Sequence, residues 1–385
     1  MFDDLVGQES AVAELRATAT AAVEVLGGAD GRGMTHAWLF TGPPGSGRST
    51  AARAFAAALQ CEWSGCGECD SCHTVLTGTH ADVQVVRPEG LSFSVAEARQ
   101  LVHRAAMSPS GRRWQIVLFE DADRMTEQAA NALLKAIEEP PRRTVWLLCT
   151  PAPDDLVVTI RSRCRLVTLR TPPTEAVAEV LTRRDGVEPE MAAFAARAAQ
   201  GHVGRARRLA TDERSRSRRS AVLGVPLRVQ GIGSSFAAAA GLVDDAQVDA
   251  STTSGELDAP ETAALRRALG EGTEGRAMPR GTKGALNDLE RHQKSRATRV
   301  KRDSLDRALL DLASFYRDVL ILQVGARVEL CNEEIHDDLR TVAESSTQAA
   351  TLRRLEAIVL CRERIDLNVN PLLAVEALTL SLRAA

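Results

Sequence analysis

Thr41-Gly42-Pro43-Pro44-Gly45-Ser46-Gly47-Arg48-Ser49-Thr50 is the stretch that decides how this chain is read. Gly42 and Gly47 hold the two glycine positions of a phosphate-binding loop, and Ser49 holds the Mg²⁺-ligand position. Such glycines let backbone N–H groups curl around phosphates at a helix N-terminus, where the helix dipole also favours anions. Arg48 stands where the pattern needs Lys, the compact charge that reaches the β and γ phosphates. The planar arginine fork is bulkier and has a different reach, so the exchange is not conservative. The loop therefore predicts a nucleotide-binding scaffold with altered chemistry.

Around it, short apolar runs alternate with helical patterns, which predicts a parallel sheet with crossover helices. Expected strands are 38–40, 83–86, 115–119, 145–149 and 166–169. Several are near-continuous apolar runs, as strands covered on both faces should be. Ser94 with Glu97 reads as a capping box opening a helix to about residue 106. Thr126 begins another, with the stripe Ala130, Leu133, Leu134 and Ile137, and Pro140-Pro141 stop it.

Three further groups carry chemistry. The strand 116–119 runs into Glu120-Asp121, where a working site has Asp for the Mg²⁺ shell and then Glu for the attacking water. The order is reversed, so each carboxylate is displaced by one methylene, and about 1 Å of misplacement can cost roughly 10²-fold in rate. The plain alternative is that the two acids end a strand and begin a turn. Cys61, Cys66, Cys69 and Cys72 have the spacing C-x₄-C-x₂-C-x₂-C, which can close a tetrahedral Zn²⁺ site with no open position. The competing reading is a redox pair plus two core thiols; Cys149, in an apolar strand, reads as core. Ser162-Arg163-Cys164 precedes the last strand. Arg163 could there reach a neighbouring subunit's γ-phosphate, against the plainer reading of one solvated arginine among many.

Composition sets the bounds. A chain of 385 residues, 44% of them hydrophobic, predicts two or three domains with sizeable cores. The net charge of −3 does not suggest a nucleic-acid protein, although basic residues could cluster on one face. Arg outnumbers Lys by 44 to 4, so a single arginine carries little weight by itself. No run approaches the ~18 to 20 apolar residues that cross a membrane, and the acidic N-terminus lacks a signal pattern. The expectation is a cytoplasmic protein whose eight cysteines are thiols or metal ligands.

Residues 1–170 are thus expected to form the nucleotide-binding-like domain, 171–210 a small helical unit, and 211–385 a further, largely helical domain. Residues 211–223 form an Arg/Ser-rich run. The stretch 224–285 is poor in large apolar residues and reads as a flexible surface insertion with one or two loosely held helices, most mobile over 268–284. Helices follow, with one face traced by Leu305, Ala308, Leu309, Leu312, Tyr316, Val319 and Leu320. A second carries Leu352, Leu355, Val359 and Arg362, and a third, capped by Asn370-Pro371, carries Leu373, Ala377 and Leu380.

Together these pieces resemble the clamp-loader branch of the AAA+ superfamily. Phe2-Asp3-Asp4-Leu5-Val6-Gly7-Gln8-Glu9 resembles its N-terminal adenine-side box, and the four cysteines after the loop's helix resemble its zinc insertion. Asn131-Ala132-Leu133-Leu134-Lys135 with Glu138-Glu139-Pro140 resembles its next helix, and Ser162-Arg163-Cys164 its arginine-finger motif. The resemblance implies an α/β fold: a P-loop parallel sheet with a zinc loop, a helical lid and an all-α C-terminal collar. It implies a degenerate nucleotide site made of Gly42, Pro43, Pro44, Gly45, Ser46, Gly47, Arg48, Ser49, Thr50, Glu120, Asp121 and the sensor position Thr150. Gly204 stands where hydrolysing members carry a lid arginine.

Three such losses beside an intact finger imply a member with little or no ATPase of its own, and leave ATP and Mg²⁺ binding open. Implied partners are gamma/tau and delta subunits of a bacterial DNA polymerase III clamp loader, the sliding clamp and primer–template DNA. Two other classes stay in view. One is an active gamma/tau-type ATPase tolerating Arg48. The other is a zinc-dependent nucleic-acid-binding module using the basic runs at 205–219 and 291–299.

Overall fold

The computed structural model describes residues 1–28, 33–88, 90–107, 109–111, 113–269 and 282–383. The chain divides into two compact units, Met1–Thr211 and Asp212–Ala385.

In the first unit the strands are β1 Ala37–Thr41, β2 Val83–Val86, β3 Gln115–Phe119, β4 Thr144–Thr150 and β5 Arg165–Thr168. They form one parallel sheet in the order β2-β3-β4-β1-β5. The helices are α1 Glu9–Leu26, α2 Arg48–Gln60, α3 Asp70–Thr77, α4 Val95–Ala105, α5 Glu127–Glu138 and the short α6 Val158–Arg161. Because strand side chains alternate between faces, the same strands supply two cores. Trp38, Phe40, Ile116, Leu118, Val145 and Leu147 pack with residues of α1 and α2 on one side. Leu39, Val117, Phe119, Trp146 and Leu148 pack with residues of α4 and α5 on the other. The capping box of Ser94 and Glu97 forms as expected, and Thr126 caps α5 by accepting from the Ala129 N–H.

After Pro172-Pro173, α7 Thr174–Asp185, α8 Pro189–Ala199 and α9 Val203–Thr211 enclose a small core of Val177, Leu181, Ala192, Ala196, Ala206 and Leu209.

The second unit is helical among its described residues: α10 Glu213–Leu223, α11 Val225–Arg228, α12 Ile232–Ala268, α13 Thr282–Val324, α14 His336–Ser345, α15 Gln348–Asp366 and α16 Pro371–Ser381. The flexible insertion expected at 224–285 is corrected here. Its residues up to 268 are mostly the 37-residue α12, which buries Ala239, Leu242, Ala246 and Ala250. Small residues recurring every third or fourth position make a seam for close helix contact, so the expected helix is packed and not loosely held. Residues 270–281 of that stretch lie outside the described residues.

Two expected stripes are also corrected. The inner face of α15 is Thr351, Arg354, Ile358, Cys361 and Ile365, with Leu352 and Val359 exposed. The inner face of α16 is Ala374, Val375 and Leu378, with Leu373 exposed. Both helices carry apolar residues on two sides, so the pattern alone does not choose the buried one. Among the described residues no helix is long and apolar enough to cross a membrane.

Candidate functional site

The altered loop joins the C-terminal end of β1 to the N-terminus of α2, in the crevice where parallel sheets hold ligands. Gly42 has φ 150° and lies so close to the chain that an added Cβ would stand 2.4 Å from the Leu169 carbonyl oxygen. Gly45 has φ 87°, and a Cβ there would stand 2.4 Å from the Cα of His202. Pro43, Pro44 and Thr50 are exposed, Ser49 is half-buried in the first turn of α2, and Ser46 is buried. Arg48 turns back on its own loop and donates from Nη1 to the Gly42 carbonyl, 2.5 Å away. Its charge is thus engaged with the backbone of its own loop.

Glu120 is similarly engaged. Arg53 donates to its Oε1 from Nε at 3.1 Å and Nη2 at 2.9 Å, and Arg87 Nε donates to Oε2 at 2.5 Å. The carboxylate is buried and serves as the anchor of two arginines. Asp121 adopts a left-handed backbone, φ 53°, at the start of the following turn and makes no side-chain capping bond there. Burial, followed by the neighbouring Asp121 charge, holds the Asp123 carboxyl above its ordinary value. Thr150 ends β4, wholly buried, and its hydroxyl donates to the Ala152 carbonyl at 3.0 Å.

His202 is the lid residue that sequence reasoning passed over. Burial, then the charges of Arg205, Arg48 and Arg208, hold its imidazole below the ordinary histidine value. Gln8, from the quoted N-terminal box, joins the pieces: its Nε2 donates to the Arg170 carbonyl at 2.7 Å, and Oε1 accepts from the Arg170 N–H at 3.0 Å.

The four cysteines meet where α2 ends and α3 begins. Their sulfur atoms all lie within 4.8 Å of one another, so the group could hold a metal ion. Cys61 Sγ is 3.6 Å from Cys66 Sγ and 3.8 Å from Cys69 Sγ. Burial acts to raise the Cys61 thiol, but the N–H groups of Cys66, Gly65 and Trp63 outweigh it and bring it down to about 6. Cys149 is wholly buried, and burial pushes its thiol up.

Arg163 lies between α6 and β5 with its side chain 40% exposed. Its Nε sits 2.5 Å from Glu138 Oε1 at the end of α5, and its Nη1 donates to the Thr159 carbonyl at 2.7 Å. Arg163 is therefore at the surface, and separate from the altered loop's contacts.

A family model described as "DNA polymerase III, delta subunit" matches residues 27–173. The chain is 26% identical over 353 residues to DNA polymerase III subunit delta' of Bacillus subtilis (strain 168), covering 91% of each. Along nearly its whole length the chain is thus similar to a delta-prime clamp-loader subunit. It is also 38% identical over 160 residues to the delta-prime subunit of Pseudomonas aeruginosa, 40% of this chain and 49% of that one. With the gamma/tau subunit of Mycobacterium tuberculosis (strain H37Rv) it shares 32% identity over 187 residues, 47% of this chain and 31% of that one.

The basic runs do not favour the nucleic-acid reading. Arg218 pairs with Asp249, and the buried Arg219 with Asp311 and Glu334. Arg291 pairs with Asp288, Lys294 with Glu290, and Arg296 with Asp258 and Glu261. Their charge is largely spent within the fold.

Proposed function

We propose that this chain works in DNA replication as a delta-prime subunit that lends chemistry to a neighbour and performs none on its own nucleotide. Arg163 would act as a trans arginine finger, stabilising charge that develops on ATP held by an adjacent gamma/tau subunit. Residues 1–170 and 171–210 would be the AAA+ and lid modules, and 211–385 the collar through which it joins gamma/tau and delta. The assembled loader would place the sliding clamp on primer–template DNA in the cytoplasm.

One contrast carries this reading. The catalytic positions of its own loop are occupied by its own chain, through Arg48 to Gly42, Glu120 to two arginines and His202 over Gly45. The proposed finger arginine instead lies at the surface, on the turn between α6 and β5. A trans arginine can be worth 10³ to 10⁵ in rate at the site it serves.

Zn²⁺ is the metal we assign to the four thiols. Zn–S bonds of about 2.3 Å in a tetrahedron put sulfurs about 3.8 Å apart, and Cys61–Cys66 and Cys61–Cys69 are 3.6 and 3.8 Å apart. A closed four-sulfur shell gives the ion an ordering role. It leaves no coordination site for a reacting group.

The test is a loader reconstituted with Arg163→Ala. The subunit should assemble normally while DNA-stimulated ATP turnover falls, one active site being silenced. Turnover equal to that of the unmodified loader would remove the finger role. Brisk hydrolysis by the isolated chain would instead favour the gamma/tau-type reading.

A further inference from the structure

Arg113 lies outside every motif considered above, yet it is tied to the chain two residues ahead of Cys61. It stands just before β3, in a segment fixed to the end of α2. Gln60 Nε2 donates to the Trp114 carbonyl at 2.5 Å, and Arg113 Nε donates to the Leu59 carbonyl at 2.9 Å. Leu59 is two residues before Cys61, so this bond sets the guanidinium beside the first metal-ligand position.

The rest of that guanidinium is unusual. Its Nη2 is buried and has no hydrogen-bond partner. Leaving a charged donor in that state normally costs more than a neutral one, because its hydration is lost without return. The negative groups that offset its burial are Cys61, Glu62 and Cys69, two of which are ligand positions. Four thiolates around one divalent ion carry a net double negative charge. A half-buried cation with one donor left over can oppose that charge.

We infer that Arg113 is the outer-sphere cation of the Cys61, Cys66, Cys69 and Cys72 metal centre, opposing the charge of the metal–tetrathiolate. The inference rests on the zinc reading above. Arg113 acts through the thiolates and touches no ion, so it is a positioning residue. Partners of this kind are typically worth 10- to 100-fold in metal affinity. The arrangement also links the entry of β3 to the zinc loop, since one side chain serves both.

The experiment uses the full chain, with Zn²⁺ titrated against a chromophoric chelator and Co²⁺ absorption read in parallel. The wild-type chain should take up one ion with the spectrum of a four-sulfur tetrahedral site. Arg113→Met should lower the Zn²⁺ affinity by about 10- to 100-fold and speed release to the chelator, and Arg113→Lys should recover most of both. Thermal melts with and without metal separate this from plain packing. Loss of the cation should lower the midpoint of the metal-loaded form while leaving the metal-free form nearly unchanged. Equal falls in both forms, or affinity within twofold of wild type, would overturn the role of Arg113. A wild-type chain that binds no Zn²⁺ would overturn the metal assignment itself. Should Arg113→Met fail to fold, Arg113→Gln carries the same comparison.

Discussion

His202 rests on Gly45: a Cβ added to the glycine would fall 2.4 Å from the histidine Cα. This contact closes the phosphate loop from the side of α9 and makes Gly45 a position where only glycine fits. Gly45→Ala should cost about 2–4 kcal/mol, summing left-handed backbone strain and overpacking. Urea unfolding measures it. Adding His202→Ala should recover only part of the loss, because the clash includes backbone. A loss under about 1 kcal/mol would mean that His202 is not seated there in solution.

His202 also predicts a pH dependence. Its imidazole is held below the ordinary value of 6.5, first by burial and then by Arg205, Arg48 and Arg208. The unfolded chain therefore binds the proton more readily, and stability must rise with pH through this window. The contribution is complete above about pH 6.5 and declines as pH falls toward the folded value. His80, lowered mainly by burial, acts in the same sense. Asp82 and Asp249 have carboxyls below their ordinary value despite burial, and titrate at lower pH. Melting temperatures between about pH 7.5 and 5.5 should thus fall by a few degrees, and His202→Asn should flatten the slope without abolishing it.

Glu120 and its arginines should respond unequally. Arg53→Met leaves a carboxylate that is 9% exposed with Arg87 as its only remaining partner of the two. Hydrogen bonds to charged groups are worth about 1.5–3 kcal/mol, so a loss of about 2–3 kcal/mol is expected on unfolding. Glu120→Met should cost less, because Arg53 and Arg87 can turn toward water. The reverse order would show that Glu120 is not anchored by these two side chains.

Metal removal gives a separate readout. Structural zinc binding can contribute on the order of 10 kcal/mol, and the loop it orders has few buried apolar residues besides Val75. A chelator should therefore lower the melting temperature and open the segment 61–77 to proteolysis, while Cys149, buried in β4, stays inert to thiol reagents. Cys61→Ser should reproduce the effect of the chelator. A chelated chain with unchanged melting and protection would leave the zinc loop without a metal.

Much of this was legible before the structure, for identifiable reasons. Continuous apolar strands, the capping box at Ser94 and the cap at Thr126 are local signals, and they survive folding unchanged. The loop 41–50 and the four cysteines are short motifs whose spacing fixes their geometry. What stayed hidden depends on long-range contact. Nothing in Gly201-His202-Val203-Gly204 states that the histidine lands on Gly45, 157 positions earlier in the chain. Arg53 and Arg87 acquire meaning only when β3 brings Glu120 between them. In α12 the helix is legible but its packing is not, since a seam of small residues such as Ser235, Ala239, Ala246 and Ala250 carries no large apolar stripe.

The proposed finger arginine yields the most direct functional comparison. Arg163 and Glu138 are 40% and 36% exposed, and such surface pairs contribute about 0–1 kcal/mol. Arg163→Ala should therefore leave the melting temperature almost unchanged, so any loss in the assembled loader reports on chemistry and not on folding. Arg163→Lys should fail to restore turnover, because lysine lacks the planar fork that meets a phosphate with two donors. Glu138→Ala releases Nε but keeps the Nη1 bond to Thr159. If Glu138 only parks the guanidinium until a phosphate competes for it, this variant should match or exceed the unmodified loader. If it orients the finger toward its target, turnover should fall with Arg163 intact. Single-turnover ATP hydrolysis by the reconstituted loader separates the two, and the parked arrangement is the expected result because the pair is open to solvent.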